Sequence, residues 1–339
     1  MAQVFFIGAT GHIGGAAVNA LLTQHPDVRI TALVRDQGKG ERLKQAFPSV
    51  RAVVGDLTDV GLIESESNVA GIVINTSPDY LDGSPAAIKA VLGGLASRPE
   101  RGFYVQTSGA FLVGEDVQGE RSLEKVWDDV ADIERITAMP PGRYHQAADQ
   151  LVRHGASNVN VALVSPTVVY GRSVSTENQV PITIRDIVAT ARELSAGFTI
   201  NRGANFLPYV HVDDLADIYA RLFAHATKEA ASDARIWGPH AYYFATSEEL
   251  SFAKYMEAIV KVLKEKEVIP TDTIKRIGPE SQDSDREIVN KTAQIHGYGT
   301  NLRVRSSRAE TLLGWKSKQP SVKETLPEII DLILSRAQL

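Results

Sequence analysis

Cysteine is absent from the 339-residue chain. That single absence excludes disulfides, thiolate metal sites and cysteine nucleophiles. No apolar run approaches the roughly 18 residues that a membrane helix needs. An excess of basic charge is missing as well. Thirty-six Lys and Arg face 41 Asp and Glu, for a formal net charge of -5. Neither nucleic acid nor an anionic membrane is therefore expected as a partner. The eight histidines include no His-x-x-x-His pair with a Glu, so no metal site is expected. There is no Gly-x-Ser-x-Gly elbow. The first residues lack a basic n-region, so no signal peptide is expected. The expectation left standing is a soluble cytoplasmic protein.

What is present is a chain able to fold around a large core, with 43% hydrophobic and 23% charged residues. Apolar runs at Val4–Ile7, Arg29–Val34, Arg51–Val54, Gly71–Asn75, Phe103–Gln106 and Val159–Val164 read as strands. Between them lie helical stretches, among them Ile13–Leu22, Pro85–Ala96 and Tyr144–His154. This alternation predicts an α/β fold of the Rossmann type, a doubly wound parallel sheet buried on both faces. Helices dominate after Gly171, at Ile182–Leu194, Asp213–Ala226, Ser251–Lys264 and Ser321–Ser335. The polar stretch Gly278–Lys291 reads as a loop. The expected division is a dinucleotide-binding domain over 1–170, with an insertion at 115–143, and a smaller helical substrate lobe over 171–339. Segments of that lobe are allowed to return to the first domain.

The N-terminal strand runs into Gly8-Ala9-Thr10-Gly11-His12-Ile13-Gly14. Glycines at this spacing let the backbone turn tightly and approach a pyrophosphate. The following helix then offers its free amides and positive dipole end to the phosphates. At the end of the second strand an acidic residue would favour NAD. Here the chain reads Val34-Arg35-Asp36, and Arg35 is suited to hold a 2′-phosphate in bidentate fashion. Lys39 and Arg42 add charge nearby. The expected cofactor is NADP, with NAD left open by Asp36. Asp56 and Leu57 follow the third strand, where an Asp can meet the adenine amino group or cap the next helix.

These features resemble the short-chain dehydrogenase/reductase superfamily in its extended, epimerase/dehydratase-like branch. The resemblance spans nearly the whole chain. It rests on Gly8–Gly14, on Pro166-Thr167-Val168-Val169-Tyr170-Gly171, on Tyr209-Val210-His211-Val212-Asp213-Asp214-Leu215 and on Leu312-Leu313-Gly314-Trp315-Lys316. It implies that Asn75, Thr76 and Ser77 lie along the cofactor, and that the backbone at Pro166 and Val168 meets the nicotinamide. It makes Asp213 or Asp214 a helix cap.

The resemblance also implies a catalytic set of Ser or Thr, Tyr, and Lys four residues beyond the Tyr. Tyr144 opens the expected helix, but the residue four positions on is Ala148. The hydroxyl position falls on Gly109 or, with the turn shifted by one, on Ser108, which is preferred. Tyr144 and Ser108 are thus the candidate catalytic residues. An isolated phenol with pKa ~10 is a poor base at neutral pH and a serviceable acid, which favours the reductive direction. The insertion carries a helical pattern at Leu123, Val126, Trp127, Val130 and Ile133. It is either a lid over the cleft or a peripheral hairpin. Three functions follow: an NAD(P)-dependent oxidoreductase or epimerase/dehydratase-like enzyme acting on a small carbonyl or hydroxyl compound, an NmrA-like dinucleotide-binding regulator, or a non-redox isomerase or lyase that retains the cofactor. A homodimer through Pro85–Ala96 and Tyr144–His154 is expected.

Overall fold

The computed structural model describes residues 2–228 and 233–336. Six strands of the central sheet come first: β1 (Gln3–Ile7), β2 (Arg29–Val34), β3 (Arg51–Val54), β4 (Gly71–Asn75), β5 (Phe103–Thr107) and β6 (Asn160–Pro166). They are followed by β7 (Val168–Tyr170), β8 (Phe206–His211), β9 (Tyr242–Ala245) and β10 (Glu248–Ser251). The central sheet has seven parallel strands in the order β9-β6-β5-β4-β1-β2-β3. The chain order reverses between β1 and β4, and ligands of doubly wound sheets bind at the carboxyl ends beside such a reversal. A second sheet is formed by β10, β8 and β7.

Strand alternation explains why both faces are covered. Val4 and Phe6 turn one way, onto Ala17, Val18 and Leu21 of helix α1 (His12–Gln24). Phe5 and Ile7 turn the other way, into the core that holds Ile63, Ile88, Val91 and Leu95. Those residues lie on α3 (Val60–Ala70) and α4 (Ser84–Ala96), while α2 (Gln37–Ala46) follows β2. Of the apolar stripe Ile88, Val91, Leu92 and Leu95 on the helix expected at a subunit contact, Ile88, Val91 and Leu95 are buried within the single chain and Leu92 is partly buried against the same core.

The remaining long helices are α5 (Gln146–His154), α6 (Ile182–Leu194), α7 (Val212–Ala226), α8 (Phe252–Glu265), α9 (Asp283–His296) and α10 (Val322–Arg336). The expected loop at Gly278–Lys291 is thus mostly helix. Its apolar face is narrow, with Val289 fully buried beside Ile288 and Ala293, and so few apolar residues give little periodicity to read. No helix of the described residues is long and apolar enough to cross a membrane.

The insertion does not form the expected helix over Leu123–Ile133. Its aspartates divert the backbone amides. Asp128 Oδ1 accepts from the amides of Val130 and Ala131, and Asp132 Oδ2 accepts from that of Asp128. Trp127–Asp128 instead pairs with Val304–Arg305, and Glu115–Asp116 pairs with Thr300–Asn301. The fully buried Asp129 receives the amides of Phe244 and Arg308. Burial raises its pKa to about 8 against the opposing hydrogen bonds from those two amides.

The cap of α7 is His211, whose Nδ1 accepts from the Asp213 amide at 3.1 Å. Asp214 is used differently. Its carboxylate receives the amides of Lys318 and Gln319, and its carbonyl receives Trp315 Nε1 at 2.8 Å. Two of the sequence motifs are therefore one contact.

Candidate active site at the carboxyl edge of the sheet

The glycine-rich turn leaves β1 with Gly8 at φ +89°, a left-handed conformation that favours glycine. A Cβ on Gly14 would strike the Gly8 carbonyl, and one on Gly8 would press on the Thr76 backbone. Gly11 opens α1 with no side-chain cap, so the first amides of the helix remain available to a ligand. Thr76 binds back to the Ile7 carbonyl through both its amide (2.9 Å) and its hydroxyl (3.2 Å). Asn75 holds Gln106 at 3.0 Å and receives the Ser77 amide and hydroxyl. The sequence-derived residues Gly8, Thr10, Gly11, His12, Ile13, Gly14, Asn75, Thr76 and Ser77 thus converge on one edge.

A segment from the second half of the chain lies over this turn. Ser175 Oγ donates to the Thr10 carbonyl at 2.7 Å and Ser173 Oγ to the His12 carbonyl at 2.6 Å. A Cβ on Gly15 would meet Ser175. His12 Nδ1 pairs with the Asn178 carbonyl at 3.1 Å, while its Nε2 is buried without a partner among the described residues. Burial lowers the His12 pKa to about 4, against the Asn178 bond.

Arg35 is exposed at the end of β2, with no ion-pair partner among the described residues. Asp36 caps α2 by accepting the Lys39 amide at 2.9 Å. Arg42 is engaged with Glu177 at 2.7 Å. Asp56 does not cap the following helix. It closes a local turn by receiving the Thr58 amide, and Asp59 occupies the cap position. Leu57 packs on the core at its rim. Pro166 ends β6, and Val168 pairs with Tyr209 in the second sheet.

The reaction end differs from the expected set. Tyr144 does not open α5, which begins at Gln146. The phenol is 58% exposed and meets Phe111 edge-on. Ala148 is buried, with no lysine in its place. The residue turned inward is His145, left-handed at φ +66°. Its Nδ1 lies 2.9 Å from Asp79 Oδ2, and its Nε2 is pressed against Gly109, where a Cβ would collide with the ring. Burial lowers the His145 pKa, but the Asp79 bond and the charges of Asp79 and Asp149 raise it further, so the net direction is upward.

Ser108 is buried beside this pair and donates to Asp149 Oδ2 at 2.9 Å. Tyr242 donates to the same oxygen at 2.8 Å. Burial lifts the Asp149 carboxyl to about 7, against the Tyr242 bond, the His145 charge and the Ser108 bond. Sequence reasoning gave no role to Asp79, His145 or Asp149. The available signal was a second i,i+4 pair, His145 and Asp149, one residue beyond the pair that was read.

The model of an NAD(P)H-binding family matches residues 8–181, about half of the chain. An oxidase, ucsJ, of an Acremonium species is 29% identical over a 344-residue alignment covering 97% of this chain and 96% of that one. Among solved structures, a yeast methylglyoxal/isovaleraldehyde reductase, Gre2, complexed with NADPH, superposes with a TM-score of 0.64 at 17% identity, covering 99% of this chain and 100% of that one. A UDP-glucose 4-epimerase from Stenotrophomonas maltophila with bound NAD gives 0.68 at 13%, covering 100% and 99%. The glycine cradle and the open amides of α1 suit a dinucleotide phosphate. The chain belongs to the NAD(P)H-binding family and has the fold of the extended short-chain dehydrogenases/reductases.

Proposed function

We propose that the protein is an NADPH-dependent reductase of a small carbonyl compound. The observation that carries this reading is the coexistence, on one sheet edge, of a dinucleotide cradle and a half-buried imidazole–carboxylate pair able to handle a proton. In this reading Gly8, Thr10, Gly11, His12, Ile13 and Gly14 hold the pyrophosphate. Arg35 takes the 2′-phosphate, and Asp56 and Leu57 flank the adenine. Asn75, Thr76 and Ser77 run along the dinucleotide, and Pro166 and Val168 face the nicotinamide. Reduced nicotinamide, when bound, supplies a hydride. The exposed rings of Tyr80 and Tyr144 stand next in sequence to Asp79 and His145 and favour a substrate with an apolar flank.

Binding is tested by calorimetric titration of NADPH and NADH against wild type and Arg35→Ala. NADPH is expected to bind more tightly. The variant should lose roughly 1.5–3 kcal/mol of NADPH affinity, as for other hydrogen bonds to charged groups, and little for NADH. Equal wild-type affinities would remove the assignment. Methylglyoxal and isovaleraldehyde, named for the yeast structure, are the first substrates to try. A regulator or a non-redox isomerase is the second reading, favoured by Ala148 in place of the family's lysine. NADPH binding with no carbonyl reduced would support it.

A further inference from the structure

We infer that His145, held by Asp79 and seated against Gly109, donates the proton to the substrate's carbonyl oxygen, in a His-x-x-x-Asp arrangement that inverts the charges of Tyr-x-x-x-Lys. The inference rests on the reductase reading above. Its geometry comes from three elements at the carboxyl edge of the sheet. The segment after β4 supplies Asp79, whose carboxylate is buried and lies 2.9 Å from Nδ1. The end of β5 supplies Gly109, which has no side chain and so leaves the volume that the ring occupies. The entry to α5 supplies His145 itself, turned inward by its left-handed backbone.

Gly109 is extended, at φ −165°, so glycine is not required there for its backbone. What glycine permits is the imidazole. One helical turn further, Asp149 is buried and faces the same site. It takes the hydroxyls of Ser108 and Tyr242 on Oδ2, and its Oδ1 has no partner among the described residues.

The swap of residue types is chemically coherent. A phenol titrates near 10 and needs a cation to bring it toward neutrality. An imidazole titrates near 6.5 and needs an anion to keep it protonated there. Tyrosine beside lysine and histidine beside aspartate therefore reach a similar acid strength from opposite sides. The titratable groups around the ring are Asp79, Asp149, Tyr242 through Asp149, and the adjoining Tyr144. β5 contributes no charge. The net upward pKa shift of His145 agrees with this arrangement.

In the step itself the Nε2–H bond of the imidazolium breaks and its proton bonds to the carbonyl oxygen. The π electrons of the C=O bond become the O–H bond, and the hydride pair becomes the new C–H bond. The carbonyl is reduced to an alcohol, the dinucleotide is oxidised, and the imidazole recovers a proton from solvent.

The test combines titration and kinetics. Histidine-resolved NMR of the protein without added ligand should place the His145 pKa above 6.5, and Asp79→Asn should lower it. A wild-type value at or below 6.5 overturns the pairing. With NADPH and isovaleraldehyde or methylglyoxal, the rate should fall as pH rises through that pKa. His145→Gln should lose 100-fold or more in kcat with NADPH affinity unchanged, and Tyr144→Phe should lose less than tenfold. If His145→Gln keeps the wild-type rate and pH profile, the imidazole's role fails and the reductase reading stands. If wild type reduces neither aldehyde while His145 titrates as stated, the reductase reading and the proton-donor step fail and the pairing alone survives.

Discussion

The turn after β1 and the turn after β5 lie on the same sheet edge, yet they are built on opposite principles. The first is made of backbone. Gly8, Gly11 and Gly14 act through what they lack, and the space between Gly14 and the Gly8 carbonyl admits no Cβ. The second is made of side chains. Gly109 also acts by absence, but what fills the gap is a ring from another element, held by a carboxylate from a third. A backbone site keeps its pattern, because only one residue type meets the steric demand. A side-chain site can change its chemistry, provided that neighbouring charges change sign with it.

The sharpest break in this comparison is to give each region one carbon atom. In Gly14→Ala the new Cβ meets backbone, which cannot rotate away. We expect a loss of about 3 kcal/mol or more in urea unfolding, at the severe end of overpacking. NADPH binding should fall by more than 100-fold. Gly109→Ser places its Cβ against a side chain, which can move. It should cost only about 1–3 kcal/mol and leave NADPH affinity intact. Its effect should appear in the NMR titration, where His145, pushed from Asp79, falls back toward 6.5. If the two variants are equally destabilised, or if Gly109→Ser abolishes NADPH binding, the two regions are not built as described.

The same contrast explains what could be read from the sequence. The six strands and the glycine turn were legible because burial on both faces and a steric demand on glycine leave periodic marks. The reaction end was legible only as a defect. Tyr144 drew attention by its residue type, and the Ala148 that follows it looked like a lost lysine. The helix begins one residue past His145, and which of two adjacent residues turns inward depends on a left-handed backbone that no spacing announces. Asp79 sits in the loop after β4, where no motif marks it. The insertion misled for a related reason. Its apolar spacing is helical, but Asp128 and Asp132 capture the amides that a helix would use, and strand partners lie far away in the chain at Val304–Arg305.

The smallest expected effect at neutral pH separates the two regions by their histidines. Burial holds the folded-state pKa of His12, at the glycine turn, down at about 4. Asn178 accepts from its Nδ1, so the neutral ring carries its hydrogen there and Nε2 is bare. Between pH 6.5 and 4 the unfolded chain binds a proton that the folded chain refuses, so stability falls as the solution is acidified. His145 has the opposite sign. Its folded pKa is raised, so its contribution is complete below 6.5 and is lost as pH rises through the folded value. His12→Asn should keep the bond to Asn178 through its amide nitrogen and remove the titration. Near pH 7 its stability should match wild type. Near pH 4 it should be the more stable by about 3 kcal/mol, the worth of roughly two and a half pKa units. His145→Gln should show its deficit below pH 6.5 and converge with wild type at alkaline pH. Urea unfolding of the three proteins from pH 4 to 9 measures both limbs. Parallel wild-type and His12→Asn profiles would mean that His12 takes up its proton in the folded state as readily as in the unfolded one. The glycine turn would then lack the dry, close-packed wall that its packing against Ser175 and Asn178 describes.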